Sequence, residues 1–118
     1  MIIYNNPVCS TCREAIRLLE AENCKFELRN YLEKPPTQKE LRELLKKLKI
    51  KAFDLVRTKE PLYKELYEGK KFSNAEWIRI LSKNPVLIER PIVISDDKAV
   101  IGRPPVKVLD LVKPDDIR

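Results

Sequence analysis

The amino-acid sequence predicts an α/β fold in which helices flank a mixed four-stranded sheet, and three features of the chain indicate it. The chain opens with the pattern of a strand, a helix and a second strand, which predicts two parallel strands joined by a crossover helix. Helical patterns fill residues 37–83. Two β-rich runs around a polar turn then predict an antiparallel hairpin. The length of 118 residues suits a single domain over 1–118.

The first strand and the first helix are separated by a short loop. Residues 1–4 form an apolar run that Asn5-Asn6-Pro7 ends, which is typical of a buried strand. Ser10 and Thr11 are good N-cap residues, and Glu14 completes a capping box with Thr11, so a helix is expected to about residue 22. Residues 24–29 alternate apolar with polar side chains and predict the second strand.

The middle of the chain carries the strongest helical signals. The motif Thr37-x-x-Glu40 is a capping box. It precedes four leucines at i, i+3, i+4 and i+7: Leu41, Leu44, Leu45 and Leu48. Residues 50–72 predict short helical turns, and Ser73-Asn74-Ala75-Glu76 begins a further helix that ends before Pro85.

The last quarter of the chain changes to β-rich sequence. Ile92-Val93-Ile94 and residues 98–101 flank the turn Ser95-Asp96-Asp97, which predicts the hairpin. A short helix around residues 106–112 follows. This order of elements is the plan of a thioredoxin-like domain, in which the helices between residues 37 and 83 form an insertion.

The composition indicates a globular protein. Hydrophobic residues make up 43% of the chain and charged residues 36%, with a net charge of +6. Lysines alternate with acids along the predicted helices, as on solvated helix faces, so we expect no nucleic-acid partner. The chain start lacks the pattern of a signal peptide, and no run approaches the roughly 20 apolar residues that span a bilayer. We therefore expect a cytoplasmic protein without a membrane partner.

The cysteines point to redox chemistry. The chain has three cysteines and no histidine, so we expect no zinc site and no other metal site. Cys9 and Cys12 lie three residues apart between the first strand and the first helix, where a Cys-x-x-Cys pair is typical of thiol oxidoreductases. Cys24 begins the second strand in register with Phe26 and Leu28, and we interpret it as a buried core residue.

Cys9 is the expected nucleophile. A free thiol has a pKa of about 8.5, and the positive end of a helix lowers that value. The backbone N–H groups of residues 10–12 can point at the Cys9 sulfur, and Arg13 lies one turn further along. Cys12 lies inside the first helical turn, where it can attack a Cys9 adduct and release it as an internal disulfide. The pair is also compatible with a general dithiol oxidoreductase of unknown substrate.

Several separated motifs give the chain a resemblance to the glutaredoxin-coupled arsenate reductase (ArsC) family. The motif Tyr4-x-Asn6-Pro7-x-Cys9-x-x-x-Arg13 resembles the family's nucleophile loop, and residues 31–36 resemble the loop before its second helix. Ile88-Glu89-Arg90-Pro91-Ile92-Val93 and Ile101-Gly102-Arg103-Pro104 resemble its C-terminal half. The likeness extends over nearly the whole chain.

The resemblance implies a reaction and a site. In the family, a thiolate at the position of Cys9 attacks arsenate. Three arginines bind this oxyanion, and by position they are Arg57, Arg90 and Arg103. We add Arg13 as a further candidate for binding it. Guanidinium groups suit this role because they bind tetrahedral anions with paired, charge-assisted hydrogen bonds. Thioredoxin-like folds carry a cis proline facing the active thiol, and Pro91 is the candidate.

The resemblance also implies the reaction's partners. Glutathione is the expected co-substrate, and glutaredoxin or a thioredoxin-like protein recycles the enzyme. No tightly bound cofactor is expected, and we expect a monomer.

Two departures leave an alternative from another class open. Asn5 stands where arsenate reductases commonly have histidine, and these enzymes commonly lack a cysteine at the position of Cys12. A second cysteine resembles the Spx-type regulators, relatives that bind RNA polymerase. The run Gly102-Arg103-Pro104-Pro105 favours the reductases over the regulators.

Overall fold

The structure is a computed structural model that describes residues 1–117. The chain forms two compact units: Met1–Lys34 together with the chain from Arg90 onward, and Pro35–Glu89. The first unit contains the sheet, and the second consists of helices inserted between the second and third strands. The predicted helical insertion is therefore confirmed, whereas the single domain stays a prediction. None of the helices within residues 1–117 has the length and apolar character that crossing a bilayer requires.

The first unit is built on the predicted mixed sheet, which is confirmed. Its strands are β1 (Ile2–Asn5), β2 (Glu27–Asn30), β3 (Ile92–Ser95) and β4 (Lys98–Ile101). Their order in the sheet is β2-β1-β3-β4. β1 pairs parallel with β2 and antiparallel with β3, and β3 pairs antiparallel with β4. The central strand β1 ends directly before the loop that carries Cys9.

Helix α1 (Ser10–Ala21) packs on the sheet through its apolar side. Ala15 and Leu19 on α1 join Ile3 of β1 and Val93 of β3 in one buried cluster. A 3-10 helix at Pro105–Leu111, where a short helix was predicted, adds Val108 and Leu111 to the same cluster. Because these side chains are almost fully buried, the start of α1 is fixed relative to the hairpin.

The second unit contains α2 (Gln38–Leu48), α3 (Pro61–Leu66) and α4 (Asn74–Lys83). Short 3-10 helices lie at Ala52–Leu55 and Pro85–Leu87. The helix starts predicted in this unit are confirmed, and each is a capping box: the Glu40 amide donates to Thr37 Oγ1 at 3.1 Å, and the Glu76 amide donates to Ser73 Oγ at 3.1 Å. Three leucines of the predicted stripe, Leu41, Leu44 and Leu45, are buried.

Two local predictions in the first unit are wrong. Helix α1 is capped by Cys9 itself, not by Ser10 or Thr11, so the predicted capping box of Thr11 and Glu14 is wrong. Strand β2 begins at Glu27 instead of residue 24, because the preceding residues pair with the C-terminal segment: Cys24 forms a bridge with Ile117, and the Lys25 amide donates to the Asp116 carbonyl. Cys24 is buried as predicted, but Leu28 is 53% exposed and does not share its core position.

Gly102 lies at a closely packed position beside the hairpin of the first unit. A Cβ at this position would lie 2.8 Å from Pro91 Cγ and 2.9 Å from Val108 Cγ1. We expect Gly102→Ala to lower the free energy of unfolding by about 1–3 kcal/mol, the usual cost of overpacking a core. Urea unfolding followed by circular dichroism measures this. Val106→Ala, at a side chain that is 55% exposed, is the control and should change the value by less than about 0.5 kcal/mol. Equal stability of Gly102→Ala and the unchanged protein would contradict the close contact.

Candidate functional site

The site is centred on Cys9, which is the N-cap residue of α1. Its backbone is extended, with φ −86° and ψ 119°, and its sulfur accepts a hydrogen bond from the Cys12 amide at 3.4 Å. The Arg13 amide donates to the Cys9 carbonyl at 3.1 Å and continues the helix. The sulfur thus occupies the position in which a serine or aspartate oxygen usually caps a helix. The predicted contact between Cys9 and the backbone of the first turn is present through Cys12.

The loop before Cys9 is held by Asn6, a residue to which the sequence analysis assigned no role. The Asn6 carbonyl accepts a hydrogen bond from the Cys9 amide at 3.0 Å, and Asn6 Oδ1 accepts one from the Val8 amide at 3.2 Å. Asparagine favours this local turn because its side chain can bond its own backbone two residues on. The Asn-Pro dipeptide was the available signal. Asn6 therefore fixes the path of the chain into the nucleophile position.

Two of the predicted arginines lie at the Cys9 sulfur. Arg103 Nη2 lies within hydrogen-bonding distance of Cys9 Sγ, at 3.9 Å, while Arg103 Nε donates to the Arg90 carbonyl at 2.7 Å. The guanidinium of Arg90 acts on Cys9 both as a positive charge and as a hydrogen-bond donor. The peptide bonds Arg90–Pro91 and Arg103–Pro104 are both cis. Cys9, Cys12, Arg90 and Arg103 thus form one constellation.

The surroundings of the two thiols shift their pKa values in opposite directions. Burial alone would raise the pKa of Cys9, but hydrogen bonds from Cys12 and the charge and hydrogen bond of Arg90 bring this pKa below the ordinary value of 9.0. Burial raises the pKa of Cys12 to about 12; its contact with the Cys9 sulfur adds to the rise, against a hydrogen bond from the Asn6 backbone. Cys9 is therefore the thiol that ionises first, and Cys12 keeps its proton.

The third cysteine lies in a different environment. Burial, together with the carboxylates of Asp116 and Glu22, raises the pKa of Cys24 above 9.0. Its side chain is 2% exposed and belongs to the core cluster of the first unit. These properties favour the predicted structural role over a reactive one.

The structure gives the other two predicted arginines different contacts. Arg57 belongs to the second unit, where its Nη1 pairs with Glu60 Oε2 at 2.9 Å and donates to the Val86 carbonyl at 3.4 Å. Arg13 is exposed, and its Nη1 donates to the Pro7 carbonyl at 3.3 Å, which supports the loop before Cys9. Substrate binding by Arg57 and Arg13 stays a prediction.

Asn5 occupies the position where the resemblance leads one to expect histidine. It ends β1 and is 8% exposed, and its Oδ1 is buried with no hydrogen-bond partner within residues 1–117. An amide side chain carries no charge at any accessible pH. The pKa of Cys9 is thus lowered by the hydrogen bonds from Cys12 and by Arg90 without a histidine.

The fold and the site together define a thioredoxin-like protein whose helix-capping cysteine lies beside two arginines. The chain belongs to the ArsC family, whose family model matches residues 4–111. The match includes Cys9, Cys12, Arg90 and Arg103, and it extends over both compact units.

Relatives and solved structures agree with this membership. The chain is 44% identical over 114 residues to the arsenate reductase of Haemophilus influenzae, covering 95% of this chain and 98% of that one. It is 46% identical over 112 residues to the uncharacterized protein YfgD of Escherichia coli, covering 93% and 94%. The structure of an arsenate reductase from Vibrio cholerae superposes with a TM-score of 0.90 at 39% identity, covering 94% of this chain and 96% of that one.

The different environments of the thiols predict separate titrations. In a Cys12→Ser, Cys24→Ser protein, the thiolate absorbance of Cys9 should rise with a midpoint below 9.0. Arg90→Met should move that midpoint upward, because it removes a positive charge and a hydrogen bond from the thiolate. Arg17→Met, at an exposed arginine of α1 that pairs with Glu14, is the matched control and should leave it unchanged. A Cys9 midpoint at or above 9.0 in the unchanged arginine background would contradict this description of the site.

Proposed function

We propose that this protein reduces arsenate to arsenite, with the Cys9 thiolate as nucleophile. The observation that carries the proposal is the low-pKa thiol of Cys9 in contact with the Cys12 amide and the guanidinium groups of Arg90 and Arg103. Relatives named arsenate reductases, at 39–44% identity over most of their length, support it.

The arginines give the site its preference for an oxyanion. Two guanidinium groups beside one sulfur provide donors for several oxygens of a tetrahedral anion and keep their charge next to a thiolate. Arg103 is oriented by its hydrogen bond to the Arg90 carbonyl, which ties its side chain to the backbone of Arg90. Arg57, from the second unit, is the third arginine that the family resemblance assigns to the substrate.

The proposed reaction balances with two thiols. The Cys9 thiolate attacks arsenic, a sulfur–arsenic bond forms, and one oxygen leaves as hydroxide or water. A second thiolate then attacks the Cys9 sulfur. The bond between this sulfur and arsenic breaks, and its electron pair stays on arsenic, which passes from As(V) to As(III). The two sulfurs end as a disulfide.

Glutathione is the proposed second thiol, and glutaredoxin or a thioredoxin-like protein is the proposed recycling partner. No tightly bound cofactor is required by this chemistry. A cytoplasmic location, where such thiols are kept reduced, and a monomeric state stay predictions.

A second candidate mechanism uses Cys12 in place of glutathione. The side chains of Cys9 and Cys12 interact directly, and the Cys12 amide bonds the Cys9 sulfur at 3.4 Å. This proximity favours attack of Cys12 on a Cys9 adduct, which would serve arsenate reduction or a general dithiol oxidoreductase equally. The alternative of a regulator that binds RNA polymerase stays a prediction.

Arsenate binding should depend on the arginine pair. Loss of a paired, charge-assisted contact costs about 1.5–3 kcal/mol, or about 10- to 150-fold in affinity. We therefore expect Arg90→Lys and Arg103→Lys to weaken arsenate binding by calorimetry to this extent while the circular dichroism spectrum is unchanged. Arg17→Lys on the exposed side of α1 is the control and should bind as the unchanged protein does. Unaltered binding in both site variants would remove these arginines from the substrate site.

Turnover should separate the roles of the two thiols. Cys9→Ser should abolish arsenate reduction, because a serine hydroxyl is barely ionised at neutral pH. With glutathione and glutaredoxin, Cys12→Ser should retain most of the activity if glutathione resolves the adduct, and should stall if Cys12 does. Cys24→Ser is the control and should keep its activity.

Mass spectrometry after one turnover distinguishes the two routes. A mixed disulfide of Cys9 with glutathione indicates the glutathione route, which we expect, and a Cys9–Cys12 disulfide indicates internal resolution. Full arsenate reduction by Cys9→Ser would overturn the proposed function itself.

A further inference from the structure

The second unit carries two neighbouring cavities that the proposed reaction does not use. The first has a volume of about 730 Å³, and four cationic side chains line it: Arg42, Lys46, Lys49 and Lys51. The second, of about 640 Å³, is lined by the lysines Lys51, Lys70 and Lys71 and by the aromatic rings of Phe53, Phe72 and Trp77. Lys51 and Asn74 line both cavities, so the two form one continuous surface, which we call the basic–aromatic surface.

The charge of the chain is concentrated in this unit. Residues 35–89 contain 13 Lys and Arg against 8 Asp and Glu, a net charge of +5 out of +6 for the whole protein. All six cations of the basic–aromatic surface are exposed, and among residues 1–117 Asp54 is the single carboxylate that lines it. A surface with this balance attracts an anionic ligand and repels a cationic one.

The first cavity also meets the N-terminal turn of α4. Asn74 and Ala75 in that turn line it. Asn74 Oδ1 accepts a hydrogen bond from the Ala52 amide at 2.8 Å, so the amide nitrogen of the Asn74 side chain is the group that can donate to a ligand. The positive end of the α4 dipole adds to the lysines, which favours carboxylates here.

Three aromatic rings give the second cavity an apolar wall against which an apolar side chain can pack. Phe53 is 45% exposed, whereas Trp77 is 4% exposed and forms the floor. The Phe72 and Trp77 rings meet nearly edge to face, with centroids 5.1 Å apart and planes at 76°, and Phe53 is tilted by 55° against Trp77. Phe53 and Phe72 thus both pack at an angle against Trp77, and the three rings do not present the row of open, parallel faces on which successive nucleic-acid bases stack.

We propose that the basic–aromatic surface binds an acidic peptide segment of a partner protein, with one large apolar side chain of that segment packed against the rings of Phe53 and Phe72. The carboxylates of the segment lie against the lysines of both cavities, with Lys51 at the junction. This interaction site is separate from Cys9, and the proposal does not depend on whether the protein reduces arsenate.

Trp77 provides the readout, because it is the single tryptophan of the chain and lines the cavity. The probe is an octapeptide of Glu and Asp that contains one Phe, titrated against the full chain while tryptophan fluorescence is recorded. We expect a saturable change that weakens as salt is raised, because salt screens exposed charges. Replacing Phe by Ala in the peptide should weaken binding about tenfold.

Charge-reversal variants localise the binding. Lys51→Glu should weaken peptide binding about tenfold, whereas Lys51→Arg, which keeps the charge, should bind nearly as the unchanged protein does. Lys59→Glu is the matched control: Lys59 is an exposed lysine of the same unit that lines neither cavity, and its reversal should have a small effect. Cys9→Ser should bind the peptide with unchanged affinity, which separates this result from the test of the reaction.

Three outcomes would overturn the proposal. They are the absence of a saturable fluorescence change, an equal loss of affinity in Lys59→Glu and Lys51→Glu, and tighter binding of single-stranded oligothymidylate than of the peptide. The second outcome would indicate diffuse attraction by the net charge, and the third a nucleic-acid ligand. Thermal unfolding of each variant confirms that an altered affinity reflects the surface and not loss of the fold.

Discussion

The hydrogen bond from the Cys12 amide to the Cys9 sulfur is the contact on which the site depends. It caps helix α1 and stabilises negative charge on the sulfur at the same time, since an anion at a helix N-terminus satisfies backbone donors and meets the positive end of the dipole. The first turn of α1 is fixed in turn by Ala15 and Leu19 in the core. Core packing, helix initiation and thiol acidity are therefore consequences of one local arrangement.

A second constraint places the arginines near Cys9, and it lies where the chain enters β3 and leaves β4. Arg90 and Arg103 each precede a proline, and the Arg103 side chain bonds the Arg90 carbonyl, which brings side chains far apart in the sequence to one point. The ends of the hairpin approach closely because Gly102 has no Cβ to meet Pro91. The Gly102 amide also donates to the Pro91 carbonyl at 2.8 Å. Backbone packing thereby keeps Arg90 and Arg103, two residues of like charge, close together near Cys9.

Local sequence signals predicted the elements that local interactions determine. The capping boxes at Thr37 and Ser73, the leucine stripe of α2 and the hairpin were all found from patterns a few residues long. The start of β2 was not, because Cys24 and Lys25 pair with a segment some ninety residues away, about which the local alternation carries no information. The cap of α1 was missed because a thiol is an uncommon N-cap, and Ser10 and Thr11 offered a more ordinary one. The site role of Arg90 and Arg103 was expected through the family resemblance, since no short-range pattern links these two residues to Cys9.

The same contact that makes Cys9 acidic imposes an order on the two thiols. Part of the rise in the pKa of Cys12 comes from its interaction with the Cys9 sulfur, so Cys12 keeps its proton while Cys9 is a thiolate. When Cys9 forms a covalent bond to a substrate, the negative charge leaves its sulfur, and that part of the rise disappears while the part due to burial remains. Cys12 is thus the weaker nucleophile while Cys9 is a thiolate, and a resolving cysteine in this position does not compete with Cys9 for the first step.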